Sequence, residues 1–166
     1  FLGKHLLKYN SGHTIHTLGK SDENIKCNLA FEVPELSTSY NLVIHCAGKA
    51  HTVPKNKEEA LEFKHVNYYG TRNLLKAFES HKIRKPDSFI FISTVAVYGL
   101  ESGQKIKENH PLNGNSPYAL SKILAENYLE HWCRSNSVEL TILRLPLVIG
   151  KDAPGNLMKM SNAIEK

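Results

Sequence analysis

Cysteine, arginine and tryptophan are scarce in this chain, and long apolar runs are missing altogether. The three cysteines, Cys27, Cys46 and Cys133, are odd in number, widely spaced and form no CxxC pair. They argue against a disulfide framework and for reduced thiols in a cytoplasmic protein. No stretch approaches the roughly 20 apolar residues that a membrane-spanning helix needs, and no basic segment followed by an apolar one opens the chain. No membrane partner is expected. Arginine occurs only as Arg72, Arg84, Arg134 and Arg144, with no Arg-rich stripe and no aromatic motif of the RNA-binding kind. The net charge of +5 therefore points to anionic small molecules such as phosphates rather than to nucleic acid. Nine histidines are present, but no HExxH sequence or carboxylate cluster accompanies them, so no metal site is expected.

What the chain does have is a regular alternation. With 41% hydrophobic and 22% charged residues over 166 positions, it has the composition of one soluble globular domain with a substantial core. Apolar runs at residues 13–18, 41–47, 88–93 and 139–145 read as strands. Residues 88–93 (SFIFIS) have the continuous apolar character of a parallel strand covered on both faces. Residues 58–80 and 116–135 have helical spacing. Leu61, Val66, Leu74, Leu75 and Phe78 supply one face of the first, and Pro117 suits the first turn of the second. Residues 100–115, rich in Gly, Asn and Lys, read as a surface loop. Strands alternating with helices imply right-handed βαβ units and a parallel sheet. Ligands in such sheets bind beyond the carboxyl ends of the strands, which directs attention to the positions just after Leu18, Ala47, Ser93 and Leu145. Both ends read as interrupted: a helical pattern follows Phe1-Leu2-Gly3 at once, and another runs to Lys166.

The candidate chemistry starts from Tyr118 and Lys122 in Ser116-Pro117-Tyr118-Ala119-Leu120-Ser121-Lys122. Residues i and i+4 share a helix face, so the ammonium can sit near the phenol. A phenol is unreactive at its ordinary pKa near 10; a neighbouring cation stabilises the phenolate and makes it a usable acid or base. An exposed helix pair would show the same spacing. Ser93 and Thr94 close the strand in Phe91-Ile92-Ser93-Thr94-Val95-Ala96-Val97-Tyr98-Gly99. A hydroxyl there points into the expected crevice, where it can hydrogen-bond an oxygen that also meets Tyr118. The other reading is a hydroxyl that caps the next segment.

The order Phe-Leu-Gly, His-Cys-Ala-Gly, Val-Asn-x-x-Gly-Thr, Ser-Thr-x-x-Val-Tyr-Gly, Tyr-x-x-x-Lys and Leu-Arg covers nearly the whole chain. It resembles the extended short-chain dehydrogenase/reductases, the NAD-dependent epimerase/dehydratase family. The resemblance implies an α/β fold with a doubly wound, Rossmann-like parallel sheet. It also implies that the sheet is incomplete, lacking the first, central strand and most of the substrate domain. Residues 1–150 then form a partial dinucleotide-binding domain, and 151–166 begin the substrate-binding region. Of the family's opening Gly-x-x-Gly-x-x-Gly turn only Gly3 remains, so a chain of this extent is expected to fold poorly or hold cofactor weakly.

By the same resemblance Thr94, Tyr118 and Lys122 are catalytic, with Ser93, Tyr118 and Lys122 also touching cofactor. Ala47 and Gly48 let the adenosine ribose and pyrophosphate pass close. Asn67 matches a helix Asn near the active site, or satisfies nearby backbone, or does both. Leu29, in Asn28-Leu29, stands where the family has Asp-Leu against the adenine, and Leu145 and Pro146 flank the nicotinamide. NAD enzymes place an acid at the end of the second strand for the ribose 2′-hydroxyl. Here that position is Gly19, followed by Lys20 and Ser21. NADP is therefore favoured over NAD, with Lys20 as its contact; a solvated surface lysine is the competing reading.

Dehydratases of the family carry Thr-Asp-Glu where this chain has Thr94-Val95-Ala96. Neither Val95 nor Ala96 can move a proton, which argues against dehydration. C4 epimerisation or 4-keto reduction remains, each moving a hydride between nicotinamide and the sugar carbon while Tyr118 moves the proton. Segments 47–51 (AGKAH) and 145–156 (LPLVIGKDAPGN) resemble branches that act on UDP-N-acetylhexosamines, in polysaccharide biosynthesis. That likeness puts Lys49, His51, Thr94, Pro146 and Asn156 on the nucleotide-sugar substrate, although His51 reads equally well as a loop residue. The two helices commonly pair into a homodimer in the family. The alternative from another class is a non-catalytic NAD(P)-binding sensor. Such proteins commonly lose the Tyr or the Lys, and both are present here.

Overall fold

The computed structural model describes residues 2–9, 12–21, 23–80, 83–148 and 150, so the expected region 151–166, with Asn156, lies outside the described residues. In chain order the elements are α1 (Leu2–Lys8), β1 (Leu18–Gly19), β2 (Ile25–Lys26), β3 (Leu42–His45) and α2 (Lys57–Phe63). A π-helical turn (Lys64–Tyr69), α3 (Gly70–Ala77), β4 (Ser88–Thr94), a 3-10 turn (Val95–Tyr98), α4 (Pro117–Asn136) and β5 (Glu139–Leu145) follow.

β3, β4 and β5 are parallel and hydrogen-bonded in that order, with His45 opposite Phe91 and Ser93 opposite Arg144. Side chains alternate along a strand, so Phe89, Phe91 and Ser93 share one face of β4 and are buried, while Ile90, Ile92 and Thr94 share the other and are half-buried. The buried face packs on Leu74, Leu75 and Phe78 from α3 and its end, and on Ala125, Leu129, Trp132 and Cys133 from α4. On the opposite face Leu42, Ile44 and Leu143 are exposed. The reading of residues 88–93 as covered on both sides is therefore corrected: α3 and α4 lie on one face, so only alternate residues are enclosed. The chain is the parallel α/β, Rossmann-like fragment expected.

β1 and β2 pair as a separate two-residue parallel ladder. The expected strand at 13–18 shrinks to Leu18–Gly19, because a strand exists only as far as its ladder partner reaches, and β2 supplies two residues. Among the described residues no ladder joins this pair to β3, and the gap falls where the resemblance puts a further strand.

The segment read as one helix over 58–80 is interrupted. α2 starts where the Asn56 side chain accepts the Glu59 N–H at 2.8 Å, a standard N-cap. The π-helical turn then inserts before α3, and Gly70 N–H donates to His65 C=O in an i→i−5 bond. α4 is capped by Ser116, which accepts from Ala119 N–H at 3.1 Å, has Pro117 in its first turn, and ends on Ser137 in the left-handed region. The loop before it is pinched at its base. Gly99 has φ +69°, and a Cβ there would lie 2.5 Å from Asn113 O. Gly114 N–H donates to Val97 C=O at 2.9 Å. This closure brings the start of α4 back beside the end of β4. No helix among the described residues is long and apolar enough to cross a membrane.

The core predicts an asymmetry. Phe91, at 0% exposure, should cost about 3–5 kcal/mol when changed to Ala. Leu42, 46% exposed on the open face, should cost no more than about 0.5 kcal/mol. Urea unfolding midpoints of the two variants check this.

Candidate active site

Helix α4 runs back over β4, and three of its residues, one helical turn apart, grip three consecutive strand residues. The Thr94 hydroxyl stands beside the Tyr118 phenol and acts on it. Thr94 Oγ1 also accepts the Ala96 N–H at 3.2 Å, which leaves its own proton for the phenol oxygen. Lys122 Nζ donates to the Ile92 carbonyl at 2.8 Å and lies 4.5 Å from the centre of the Phe91 ring. Ser93 donates its hydroxyl proton to the Glu126 carboxylate, which is wholly buried. Thr94 and Ser93 thus part company: the first meets Tyr118, and the second turns to the helix-covered face.

Burial pushes the Tyr118 phenol above its ordinary value, and the Thr94 hydrogen bond opposes that rise. Burial lowers Lys122 to about 8, while Glu126 and Cys46 pull it upward. The expected effect of the Lys122 cation on Tyr118 is not among the influences acting on the phenol in this geometry. The ammonium is directed to the Ile92 carbonyl, and the groups acting on the phenol are its burial and Thr94.

Asn67 sits in the π-helical turn and is buried. Its Oδ1 accepts the Lys49 N–H at 2.7 Å, and its Nδ2 donates to Lys49 C=O at 3.1 Å and to Ser121 Oγ at 2.8 Å. Ser121 in turn donates to Tyr118 C=O at 2.7 Å. One amide therefore fixes the loop after β3 and the start of α4 together. Asn67 thus satisfies nearby backbone and lies against the segment that carries Tyr118 and Lys122. Behind it Thr71 donates to Asn67 C=O at 2.6 Å, so His45 Nε2, 3.0 Å from Thr71 Oγ1, is the donor in that pair. His45 is neutral, lowered to about 3 by burial and then by Lys122.

Gly48 opens this corner. A Cβ there would stand 3.2 Å from Asn67 Oδ1 and 3.3 Å from Lys122 Nζ. Its absence leaves the backbone bare beside a buried cation and an amide, and Ala47 and Gly48 are both exposed. An anionic, hydroxyl-bearing nucleotide fits that cradle, so these residues are suited to hold the cofactor that the resemblance implies.

The other expected residues are spread more widely. Gly3 lies in α1 beside Cys46, with 3.8 Å between a Cβ at Gly3 and the Cys46 Cβ. Leu145 ends β5, half-buried, and Pro146 is exposed after it. Lys49 Nζ is bound to Glu62 at 2.6 Å and lies over the Phe63 ring, which packs against Tyr118. His51 is exposed with φ 61°. Lys49, Thr52, Val53, Glu59, Glu62 and Phe63 line a groove of about 470 Å³ leading to that ring. Leu29 belongs to the core instead, packed against Gly70 with its carbonyl held by Asn73 at 2.9 Å. Lys20 is exposed and acts on Glu62. The Glu23 side chain folds over Gly19, where a Cβ would meet Glu23 Cγ at 2.7 Å, so an acid does stand at the end of β1. A wider concavity of about 1030 Å³ is lined by Tyr98, Ile106, Cys133, Ile142 and Arg144 among others, and Tyr118 is not part of its lining.

Sequence reasoning missed Glu126, Arg144 and Ser121 as members of this cluster. Glu126 stands four residues beyond Lys122, on the face already singled out, and that spacing was the available signal.

The depressed Lys122 value is a statement about stability. Between about 8 and 10.5 the unfolded chain holds the proton that the folded chain has released, so stability rises with pH across that window. The full difference corresponds to about 3 kcal/mol. Lys122→Met should abolish the rise between pH 8 and 10 and leave the protein at least as stable at pH 7, as read from urea midpoints across that range.

The profile of the NAD dependent epimerase/dehydratase family matches residues 1–166. The chain is 30% identical over 162 residues to a UDP-glucose 4-epimerase of Vibrio cholerae, covering 91% of this chain and 47% of that protein. It is 38% identical over 101 residues to the N-acetyl-alpha-D-glucosaminyl-diphospho-ditrans,octacis-undecaprenol 4-epimerase of Escherichia coli O157:H7 (60% and 29%). It is also 34% identical over 122 residues to the dTDP-D-glucose 4,6-dehydratase of Mus musculus (74% and 32%). Among solved structures, RMD from Pseudomonas aeruginosa complexed with NADPH superposes with TM-score 0.68 at 28% identity, over 90% of this chain and 52% of that one. UDP-glucuronic acid 4-epimerase from Bacillus cereus in complex with NAD gives 0.57 at 28% identity, over 68% and 34%. The chain thus spans about half or less of the length of the curated relatives it matches. With the parallel sheet, the Thr94–Tyr118–Lys122 cluster and the full-length profile match in agreement, the chain belongs to the NAD-dependent epimerase/dehydratase family.

Proposed function

We propose that the protein containing this chain is a cytoplasmic nucleotide-sugar 4-epimerase or 4-ketoreductase, acting at C4 of a UDP-N-acetylhexosamine-type sugar. The observation that carries the reading is that Tyr118, in the first turn of α4, stands beside Thr94 at the carboxyl end of β4, with Lys122 buried one turn further along and bonded to the Ile92 carbonyl. A nicotinamide cofactor, when bound, supplies or accepts the hydride. Tyr118 moves the proton at the sugar oxygen, and Thr94 orients both that oxygen and the phenol. Lys122, Gly48, Ala47 and the Asn67-fixed loop hold the nucleotide, with Ser93 supporting from beneath. Leu145 and Pro146, at the end of β5, border the nicotinamide side. Lys49 and His51, on the loop after β3, face the sugar or phosphate. Asn156 completes the substrate contacts.

Dehydration needs an additional acid and base, and the positions after Thr94 hold Val95 and Ala96 on the 3-10 turn. The likeness to dehydratases is therefore one of scaffold rather than of reaction. The N-acetylhexosamine itself is supported by the Escherichia coli relative, whose name specifies an N-acetylglucosaminyl group, there on a diphospho-undecaprenol.

Lys20, exposed just after β1, favours NADP by offering a cation to the 2′-phosphate. NAD is the second reading, favoured by the Glu23 carboxylate over Gly19. We also place a homodimer contact on the side of α4 that carries Leu120, Leu124 and Tyr128, spaced i, i+4, i+8. The two leucines are exposed there, and Tyr128 shares the Arg72 guanidinium with Tyr68 and Tyr69.

Tyr118→Phe in the full-length protein should lower kcat about 10²–10⁴-fold while nicotinamide nucleotide binding is kept. Steady-state rates and fluorescence titration check it; unchanged turnover would remove Tyr118 as the acid/base, and nucleotide binding without turnover in the unsubstituted protein would leave a sensor rather than this catalyst. Lys20→Ala should weaken NADPH binding about tenfold and leave NADH binding unaltered. Equal losses for both nucleotides would remove the Lys20 argument.

A further inference from the structure

The side chain of His45, at the end of β3, is buried and has no part in the proposed reaction. Its ring stacks on Phe91 with 5.6 Å between centroids and meets Phe89 edge-on at 6.2 Å. An apolar side chain would fill that place without needing a partner. His45 has one in α3: Nε2–H donates to Thr71 Oγ1 at 3.0 Å, and the Thr71 hydroxyl donates onward to Asn67 C=O at 2.6 Å. Thr71 has a single proton to give, so the direction of both bonds is fixed. Asn67 and Thr71 are buried one helical turn apart, and the Asn67 amide takes both backbone groups of Lys49, the N–H at 2.7 Å and the C=O at 3.1 Å. One helix face therefore holds the end of β3 and the loop after it at two points, His45 and Lys49. Between those points lie Cys46, Ala47 and Gly48, the corner whose backbone stands bare beside Asn67 and Lys122.

We infer that His45 is a positioning residue for nicotinamide-nucleotide binding: through Thr71 it closes the near end of a clamp on residues 46–48 that Asn67 closes at the far end. The inference rests on the proposed seat of the nucleotide at Ala47 and Gly48. A short segment tied at both ends has little freedom left to lose when a ligand arrives, whereas one tied at a single end must be ordered by the ligand at a cost in affinity. Satisfying polar atoms in the core is a different role, and the two can be told apart. Replacing both members of a buried hydrogen-bonded pair by apolar groups of similar shape is nearly neutral for stability. It does not restore the tie between β3 and α3. Stability and nucleotide affinity then separate.

The test uses the full-length protein, with NADPH and NADH as probes in fluorescence titrations and urea midpoints measured alongside. His45→Leu should weaken binding of the preferred nucleotide about tenfold. His45→Gln, which keeps an N–H donor near the place of Nε2, should bind as the unsubstituted protein does. The double variant His45→Leu/Thr71→Val leaves no buried donor unpaired, so it should regain stability lost in the single variant and yet bind as weakly. In nucleotide-free protein, hydrogen exchange of the peptide carrying Gly48 and Lys49 should speed up about tenfold in the double variant relative to that of β4. Unchanged affinity in His45→Leu, an equal loss in His45→Gln, or affinity that returns with stability in the double variant overturns the inference and leaves the nucleotide seat standing. Failure of the unsubstituted protein to bind either nucleotide would instead refute the cofactor reading, and the inference with it.

Discussion

The close lie of α4 along the carboxyl half of β4 is the constraint on which the rest of this structure depends. In a right-handed βαβ unit the helix runs against the strand direction. Four helical residues advance about 6 Å and two strand residues about 6.6 Å, so steps of four on one match steps of two on the other. Tyr118 and Lys122 follow that rule: the first meets Thr94, and the second meets the carbonyl of Ile92. Glu126, one step further, uses its longer side chain to reach back to Ser93. A shift of α4 by one residue would turn all three side chains away together. The pinched base at Gly99 and Gly114 and the Ser116 cap prevent such a shift, because they fix where the helix begins.

Across the sheet the chemistry is graded by row. The row through Phe89 is apolar and packs on α3 and α4. The next pairs His45 with Phe91 and Phe91 with Ile142, and there the first polar groups enter, each with a partner: His45 with Thr71, and Lys122 over the Phe91 ring. The last row, Ser93 with Arg144, is wholly polar and is satisfied by Glu126. Buried polar groups are tolerable only when bonded, so this grading specifies one arrangement of helices at the end of the sheet where ligand binding is expected.

Much of this was legible in the sequence because it follows short-range periodicity. The 139–145 run became β5 with the same bounds, and the Tyr118–Lys122 spacing located the helix face that meets β4. Ser93 and Thr94 were also separable in principle. Alternation along β4 puts Ser93 with Phe89 and Phe91 and leaves Thr94 to the other face. The π-helical turn was not legible, since residues 58–80 carry ordinary helical spacing. What marks the turn is tertiary: Asn67 is tied to Lys49 and Ser121, both remote in sequence. The strand at 13–18 failed for a similar reason, because apolar spacing cannot reveal that its partner has only two residues. Glu23 escaped notice because it reaches Gly19 through a turn rather than from the strand itself.

The buried lysine shows how stability and chemistry are set against each other here. Its low-dielectric surroundings disfavour charge, and a structure selected for stability alone would place an apolar side chain at that position. Instead the ammonium is kept between the Ile92 carbonyl, the Phe91 ring and Glu126, and the glycine at position 48 leaves it open to the outside. Those neighbours do different things. The carbonyl fixes where the ammonium sits, burial lowers its proton affinity, and the carboxylate raises it. Arg144 extends the arrangement to the surface by holding Glu108 as well as Glu126, so the loop before α4 and the buried charges share one anchor. A cation that only binds a phosphate can be left on the surface, the place of Lys20, the contact proposed for the 2′-phosphate. Enclosing one in this way is worthwhile only if its protonation must be controlled, and among the described residues Lys122 is the lysine so enclosed.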